Sequence, residues 1–207
     1  MAKDKGGKGD GATAEAEQYA APRLREKFEK EVRPKLGKEF GLTNPMRHPR
    51  LEKIVINVNM GRFLEGTKVP ANVKDTILST LTKISGQKPI VIQAKKSVAN
   101  FKVREGFDSA AMVTMRSDRM WHFLDRFINL AAPRIRDFRG LKDNSFDRGG
   151  SYSMGLTEQG VFPEIDMGQV NFQHGMHINY VFSNSTPEVS KFVLKELGMP
   201  FKKDDEN

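Results

Sequence analysis

Ile54-Val55-Ile56-Asn57-Val58-Asn59-Met60 alternates without a break: Ile54, Ile56, Val58 and Met60 fall on one side, Val55, Asn57 and Asn59 on the other. A period of two is the mark of a strand with one buried face, because successive side chains leave a β-strand in opposite directions. Asparagine is disfavoured in strands, so the second face either makes polar contacts or simply meets solvent. Lys53 belongs to that same polar side.

Upstream, Leu24, Phe28, Val32, Leu36 and Phe40 recur every four residues among charges, one apolar stripe of a helix, and Pro34 within it predicts a kink. Asn44-Pro45 and His48-Pro49 separate that helix from the strand. Downstream, Val73, Ile77, Leu81 and Ile84 mark a second helix, stopped by Gly86 and Pro89. Ile90 to Ala94 and Ala110 to Arg116 read as strands joined by a basic loop from Lys95 to Gly106, together a long hairpin. Ser117 is the expected N-cap of a third helix, with Asp118 in its first turn, Met120, Phe123, Leu124, Phe127, Ile128 and Ala131 facing inward, and Pro133 limiting it. Residues 133–160, dense in Arg, Gly, Asp and Ser, read as a functional loop.

Met176, Ile178, Tyr180 and Phe182 restore strand alternation, and Thr186-Pro187 opens a last helix that buries Val189, Phe192, Val193 and Leu197 before Gly198 and Pro200 end it. This order predicts an α+β fold: a mostly antiparallel sheet with helices packed on one face and the opposite face free to bind. Residues 23–202 form the expected single domain. Residues 1–22 lack apolar periodicity and read as a disordered extension, and 203–207 as a polar tail.

Lys and Arg total 34 against 26 Asp and Glu, a formal charge of +8 that favours polyanionic partners, nucleic acid first. No run approaches the roughly 20 apolar residues that span a bilayer, and no apolar signal core precedes the helix, so a soluble intracellular protein without a membrane partner is expected. The absence of cysteine removes disulfides, thiolate nucleophiles, iron–sulfur clusters and cysteine-based zinc sites.

Three segments carry candidate chemistry. Lys95-Lys96-Ser97-Val98-Ala99-Asn100-Phe101-Lys102-Val103-Arg104 sets four cations around an aromatic with no acid among them, a pattern suited to phosphates with Phe101 stacking on a base or sugar. A solvated hairpin tip with ordinary surface lysines is the plain alternative. Arg134, Arg136 and Arg139 surround Asp137 and either fork onto phosphate or brace the loop through an Arg–Asp pair. Lys53, Asn57 and Asn59 form a polar sheet face, extended by Gln87, Lys88 and Gln93, that suits hydrogen bonding to RNA.

Enzymatic patterns are weak. His174 and His177 lack a third ligand in sequence, Gly149, Gly150 and Gly155 read as a flexible turn with no phosphate-loop lysine, and nothing activates Glu158, Glu164 or Asp166. No metal or cofactor is expected. An architectural DNA-binding protein and an RNA-processing enzyme are the rival classes.

The chain resembles the bacterial large-subunit ribosomal protein five, or L-five, family. The resemblance is carried by Ser85-Gly86-Gln87-Lys88-Pro89, Ala94 to Ala99, Phe101 to Arg104, Arg119-Met120-Trp121, Pro133 to Leu141, Tyr152 to Gly155 and Phe162 to Asp166, in order across residues 24–202. It implies a concave sheet face that clasps 5S rRNA in the central protuberance, with Asn57 and the residues around Gln87 and Lys88 towards that RNA. It also implies that residues 95–104 approach peptidyl-site tRNA and help anchor the protein in the larger rRNA, and that a small-subunit head protein is met as an intersubunit bridge. Asn100 stands where the family usually has glycine, and its tolerance of left-handed backbone is expected to keep the tip geometry. Arg148-Gly149-Gly150-Ser151 departs from the usual Gly-Arg-Gly-Asn.

Overall fold

A computed structural model of the protein describes residues 21–64, 68–170 and 172–202. The expected N-terminal extension, apart from Ala21 and Pro22, and the tail at 203–207 lie outside the described residues. The elements are α1 (Arg23–Lys27) and α2 (Arg33–Glu39), joined by a π-helical turn at Phe28–Val32, then β1 (Arg50–Asn59), α3 (Ala71–Ser85), β2 (Ile90–Gln93) and β3 (Asp108–Met115). α4 (Ser117–Arg126), β4 (Tyr152–Leu156), β5 (Met176–Ser183) and α5 (Pro187–Glu196) complete the order. The strands form one five-stranded sheet, β2-β3-β1-β5-β4, with every neighbouring pair antiparallel. The predicted α+β architecture is therefore the observed one.

Alternation in β1 sends Ile54, Ile56 and Val58 into the core opposite Met115, Val113 and Ala111 of β3. On the other flank Ile54 and Ile56 pair with Tyr180 and Ile178 of β5, which are also buried. Onto this face pack the helices: Leu24, Phe28, Val32 and Leu36, then Ile77, Leu81 and Ile84, then Met120, Phe123, Leu124, Phe127 and Ile128, and Val189, Val193 and Leu194. Removing a buried aliphatic side chain here, as in Ile56→Ala, costs about 2–5 kcal/mol.

The two helices that run into a proline beyond their first turns, at Pro34 and Pro133, answer it in the same way. Instead of a simple kink, π turns at Phe28–Val32 and Phe127–Ala131 precede Pro34 and Pro133, with Arg33 N donating to Phe28 O and Ala132 N to Phe127 O. Proline has no N–H for the carbonyl four residues back and its ring crowds that carbonyl, so widening the preceding turn by one residue relieves the clash. Gly86 ends α3 with φ 69°, as expected of a left-handed C-terminal cap. Ser117 does not cap α4: Arg116, at φ −136°, takes that position, and Ser117 sits one place inside with φ 53° and no capping bond. Thr186 does hold the position before Pro187, although its side chain makes no capping bond.

The long loop expected over residues 133–160 contains a strand. Tyr152, Met154 and Leu156 of β4 are buried and Ser153 and Gly155 exposed, so Gly155 belongs to a ladder and not to a flexible turn. Before it, residues 135–142 lie against the end of the described chain: Leu141 N donates to Pro200 O at 2.8 Å and Lys202 N to Leu141 O at 2.9 Å. This approach needs Gly140, whose φ is 98° and where a Cβ would stand 2.6 Å from Lys202 Cα. Gly140→Ala is expected to destabilise the fold by about 1–3 kcal/mol, read as a lower urea midpoint at unchanged slope.

Candidate nucleic-acid interface

The loop between β2 and β3 is a built hairpin. Ala94 N donates to Phe107 O at 2.7 Å, Gly106 N to Ala94 O at 3.0 Å, and Val98 and Val103 exchange bonds of 2.9 and 3.2 Å. Ser97 Oγ accepts the Glu105 N–H at 2.9 Å. A 3-10 turn at Ala99–Phe101 forms the tip, and its left-handed residue is Lys102 at φ 53°, not Asn100. The bonding along the ladder places the reversal after the turn, so Asn100 keeps the tip as an ordinary turn residue. Phe101 is 75% exposed. Lys95, Lys96, Lys102 and Arg104 are exposed around it and form no ion pair among the described residues.

The register of the sheet assembles its second face in rows. One row runs Ile90, Met112, Asn57, His177, Gly155 through all five strands; a neighbouring row is Thr114, Val55, Asn179, Ser153. Ile90 is 66% exposed, and Asn59, His177, Ser153 and Gly155 are also exposed. Asn57 Oδ1 is buried without a hydrogen-bond partner, a condition that costs free energy until a donor is supplied. Asn59 is partly accounted for locally, since its Oδ1 accepts the Gly61 N–H at 2.8 Å and closes the turn after β1.

Gln87 is tethered. Its Nε2 donates to Thr114 O, a carbonyl on β3 beyond the start of β2, while Arg119 donates to its Oε1 at 3.4 Å. The side chain thus extends the ladder where strand backbone has run out, leaving Lys88 exposed beside it. Gln93 is exposed at the end of β2, opposite Asp108 after a register shift. Lys53 is half-buried on the polar face of β1.

Arg134, Arg136 and Arg139 are exposed, and among the described residues neither they nor Asp137 form an ion pair. Asp137 has φ 51°, and the Arg–Asp brace does not form. Arg136 and Arg139 instead line an open cleft of about 620 Å³ between residues 135–142 and β4. His177, Asn179, Met112 and Ile90 join the site through cross-strand register, which single-strand patterns do not reveal; the cleft depends on β4, whose alternation of Tyr152, Met154 and Leu156 was available to find it.

The residues weighed for enzymatic chemistry disperse. His174 is buried ahead of β5 while His177 is exposed on the sheet, and no group of three metal-ligating side chains exists among the described residues. Glu164 pairs with Arg126, which also donates to Ile84 O at 2.8 Å, and Asp166 accepts the Gly168 N–H at 2.9 Å. Both carboxylates thereby hold structure. Burial also pushes the Tyr152 phenol up to about 12 and Tyr180 well above its ordinary value, so both are neutral core groups.

The fold and this surface define an α+β protein with helices on one side of its sheet and an amide-bearing face, ringed by cations, on the other. Comparison with known proteins carries this further. The Ribosomal protein L5 model matches residues 44–104 and the model of the same family's C-terminus matches 108–201. The large ribosomal subunit protein uL5 of Kocuria rhizophila is 48% identical over 181 residues, 87% of this chain and 94% of that protein. The corresponding protein of Acidobacterium capsulatum is 47% identical over 182 residues, 88% of this chain and 98% of its own. The chain belongs to the ribosomal protein L5 family, whose members are structural and not enzymatic.

One buried group gives the fold a pH dependence. Neither ring nitrogen of His174 has a partner, its backbone N–H bonds Gln159 Oε1 at 2.7 Å, and burial pushes the imidazole below its ordinary value. Its contribution to stability is full above the unfolded value of about 6.5, declines as pH falls below it, and is lost once pH passes the lower folded value. Urea midpoints between about pH 7 and 5 should fall for the parent protein and flatten for His174→Gln.

Proposed function

We propose that this chain, a structural constituent of the large ribosomal subunit in the cytoplasmic ribosome, binds 5S rRNA through the open face of its sheet and helps attach that RNA to the central protuberance. In this reading Asn57, Lys53, Asn59, Lys88 and Gln93 meet 5S rRNA, and Gln87 holds its neighbours in place for it. Phe101 and the four cations of the hairpin contact peptidyl-site tRNA and the larger rRNA. The arginine segment and its loops supply further RNA contacts, and neighbouring ribosomal proteins, a small-subunit head protein among them, complete the surroundings as an intersubunit bridge.

The observation that carries the reading is that the four cations of the hairpin surround an exposed Phe101 with no carboxylate of the described residues pairing any of them. Arg23, Arg25, Lys30, Lys35, Lys74, Arg116, Arg126 and Lys191, each on a helix or at its end, pair with carboxylates. The cations of the hairpin, the arginine segment and Lys53 and Lys88 do not, among the described residues. Exposed pairs contribute little to stability; the four hairpin cations, which no carboxylate of the described residues pairs, are instead available to phosphates, where each contact releases counterions.

The test combines Lys95→Ala, Lys96→Ala, Lys102→Ala and Arg104→Ala. Circular dichroism and the urea midpoint should stay within about 0.5 kcal/mol of the parent. Ribosome association and retention of peptidyl-site tRNA should weaken, and the dependence of RNA binding on salt should become shallower by roughly 0.7–0.9 logarithmic units for each phosphate that is no longer neutralised. Unchanged association and tRNA retention refute the hairpin assignment. Competition of duplex DNA against folded 5S rRNA at fixed salt separates this reading from a DNA-binding one: the 5S transcript should win.

A further inference from the structure

The hairpin leaves the sheet at an irregularity. Ile92 pairs with Ala110 but Gln93 with Asp108, so Ser109 is an extra residue on β3, a bulge where the hairpin begins. A bulge interrupts the ladder and bends its strand. β1 flanks β3 from Ala110 to Met115 and ends at Asn59; its last link is Met60 N to Ser109 O at 3.0 Å, at the bulge itself. Beyond it the hairpin has no third strand, and no residue from 94 to 107 is buried. Backbone bonds between Ala94 and Phe107 and between Val98 and Val103 join its two strands to each other but set no direction relative to the body. One pair of side chains does span this point. Lys74, in the first turn of α3, donates from Nζ to Asp108 Oδ2 at 2.6 Å, with the two side chains 33% and 25% exposed. Among the described residues no other side-chain hydrogen bond or ion pair ties residues 93–108 to the rest of the chain. A cation in a first turn works against the helix dipole, so Lys74 brings α3 nothing by itself.

We propose that the bulge at Ser109 is a hinge and that Lys74 and Asp108 are positioning residues, a latch that holds the basic hairpin in one direction relative to the body. The pair is short, charge-assisted and partly shielded from water, the conditions under which an ion pair fixes a geometry. A more exposed pair such as Lys30–Glu26 does not meet them. It also acts at the fulcrum. Phe101 lies seven residues beyond Asp108, up to about 23 Å along an extended strand, so a small change of angle at the bulge becomes a shift of several ångströms at the tip. A hairpin held in one direction has less freedom to lose on meeting its partner, and the latch thereby contributes affinity without touching that partner. This consequence rests on the function proposed above; the hinge and its latch do not.

The chain has no cysteine, so Asn100→Cys at the tip and Thr82→Cys on α3 take two nitroxide labels in the full-length protein. Pulsed electron–electron double resonance should give one narrow distance distribution for the parent. For Lys74→Met it should be at least about twice as wide, because nothing then selects a single orientation, while the circular dichroism spectrum stays the same. Lys74→Glu combined with Asp108→Lys should narrow it again. Lys35→Met, which breaks the pair between α2 and α5, should leave it narrow. A wide distribution in the parent, an equally narrow one for Lys74→Met, or failure of the exchanged pair to narrow it overturns the latch. In ribosomes, Lys74→Met should lower retention of peptidyl-site tRNA about three- to fivefold, as when about a third to a fifth of the hairpins point correctly, and the exchanged pair should restore it. Widened distances with unchanged retention uphold the latch and refute the hairpin–tRNA contact instead.

Discussion

The register of β1 against β3 and β5 is the constraint on which everything else depends. A strand side chain has only two faces to choose from, and a slip of one residue would move Ile54, Ile56 and Val58 to solvent and Asn57 into the helices. The pairing of Ile56 with Val113 and Ile178 therefore does two things at once. It closes the core, and it carries Asn57 to the outer face between Met112 and His177. Burial of the aliphatic side enforces the position of the polar side, so the interface needs no stabilising contact of its own.

Some charges serve the scaffold and others do not. Ion pairs tie α1 to α4 through Arg23–Asp125 and Arg25–Asp118, and α2 to α5 through Lys35–Glu196. On the hairpin, backbone bonds between Val98 and Val103 hold the shape, and the cations take no part in it. A loop whose form does not depend on its charged side chains can direct them outward. Gln87 follows the reverse pattern: its amide completes the ladder at Thr114, so a polar residue in the interface region serves the scaffold.

What can be read from the sequence follows from the range of each interaction. Helical stripes and the alternation of β1 and β5 are local periodicities, and they locate the core, the hairpin and the polar face. Gly86 is legible because a left-handed cap has a strong residue preference. Ser117 misleads because a cap depends on where the backbone enters the helix, and Arg116 takes that place. The π turns before Pro34 and Pro133 are a relaxation of the helix that no residue announces. β4 is hidden by the glycines and polar residues around it, although Tyr152, Met154 and Leu156 alternate. The rows that add His177, Asn179 and Ile90 to the face, and the contact of residues 135–142 with Lys202, arise only from tertiary pairing.

The central claim is that one face of the sheet meets 5S rRNA while the other is committed to the core and helices. A photoreactive amino acid at His177, on the open face, compared with one at Thr82, exposed on α3, tests it inside intact ribosomes. Crosslinks to 5S rRNA from position 177 and none to it from position 82 are expected. Crosslinks to 5S rRNA from position 82 alone would contradict the assignment of the face.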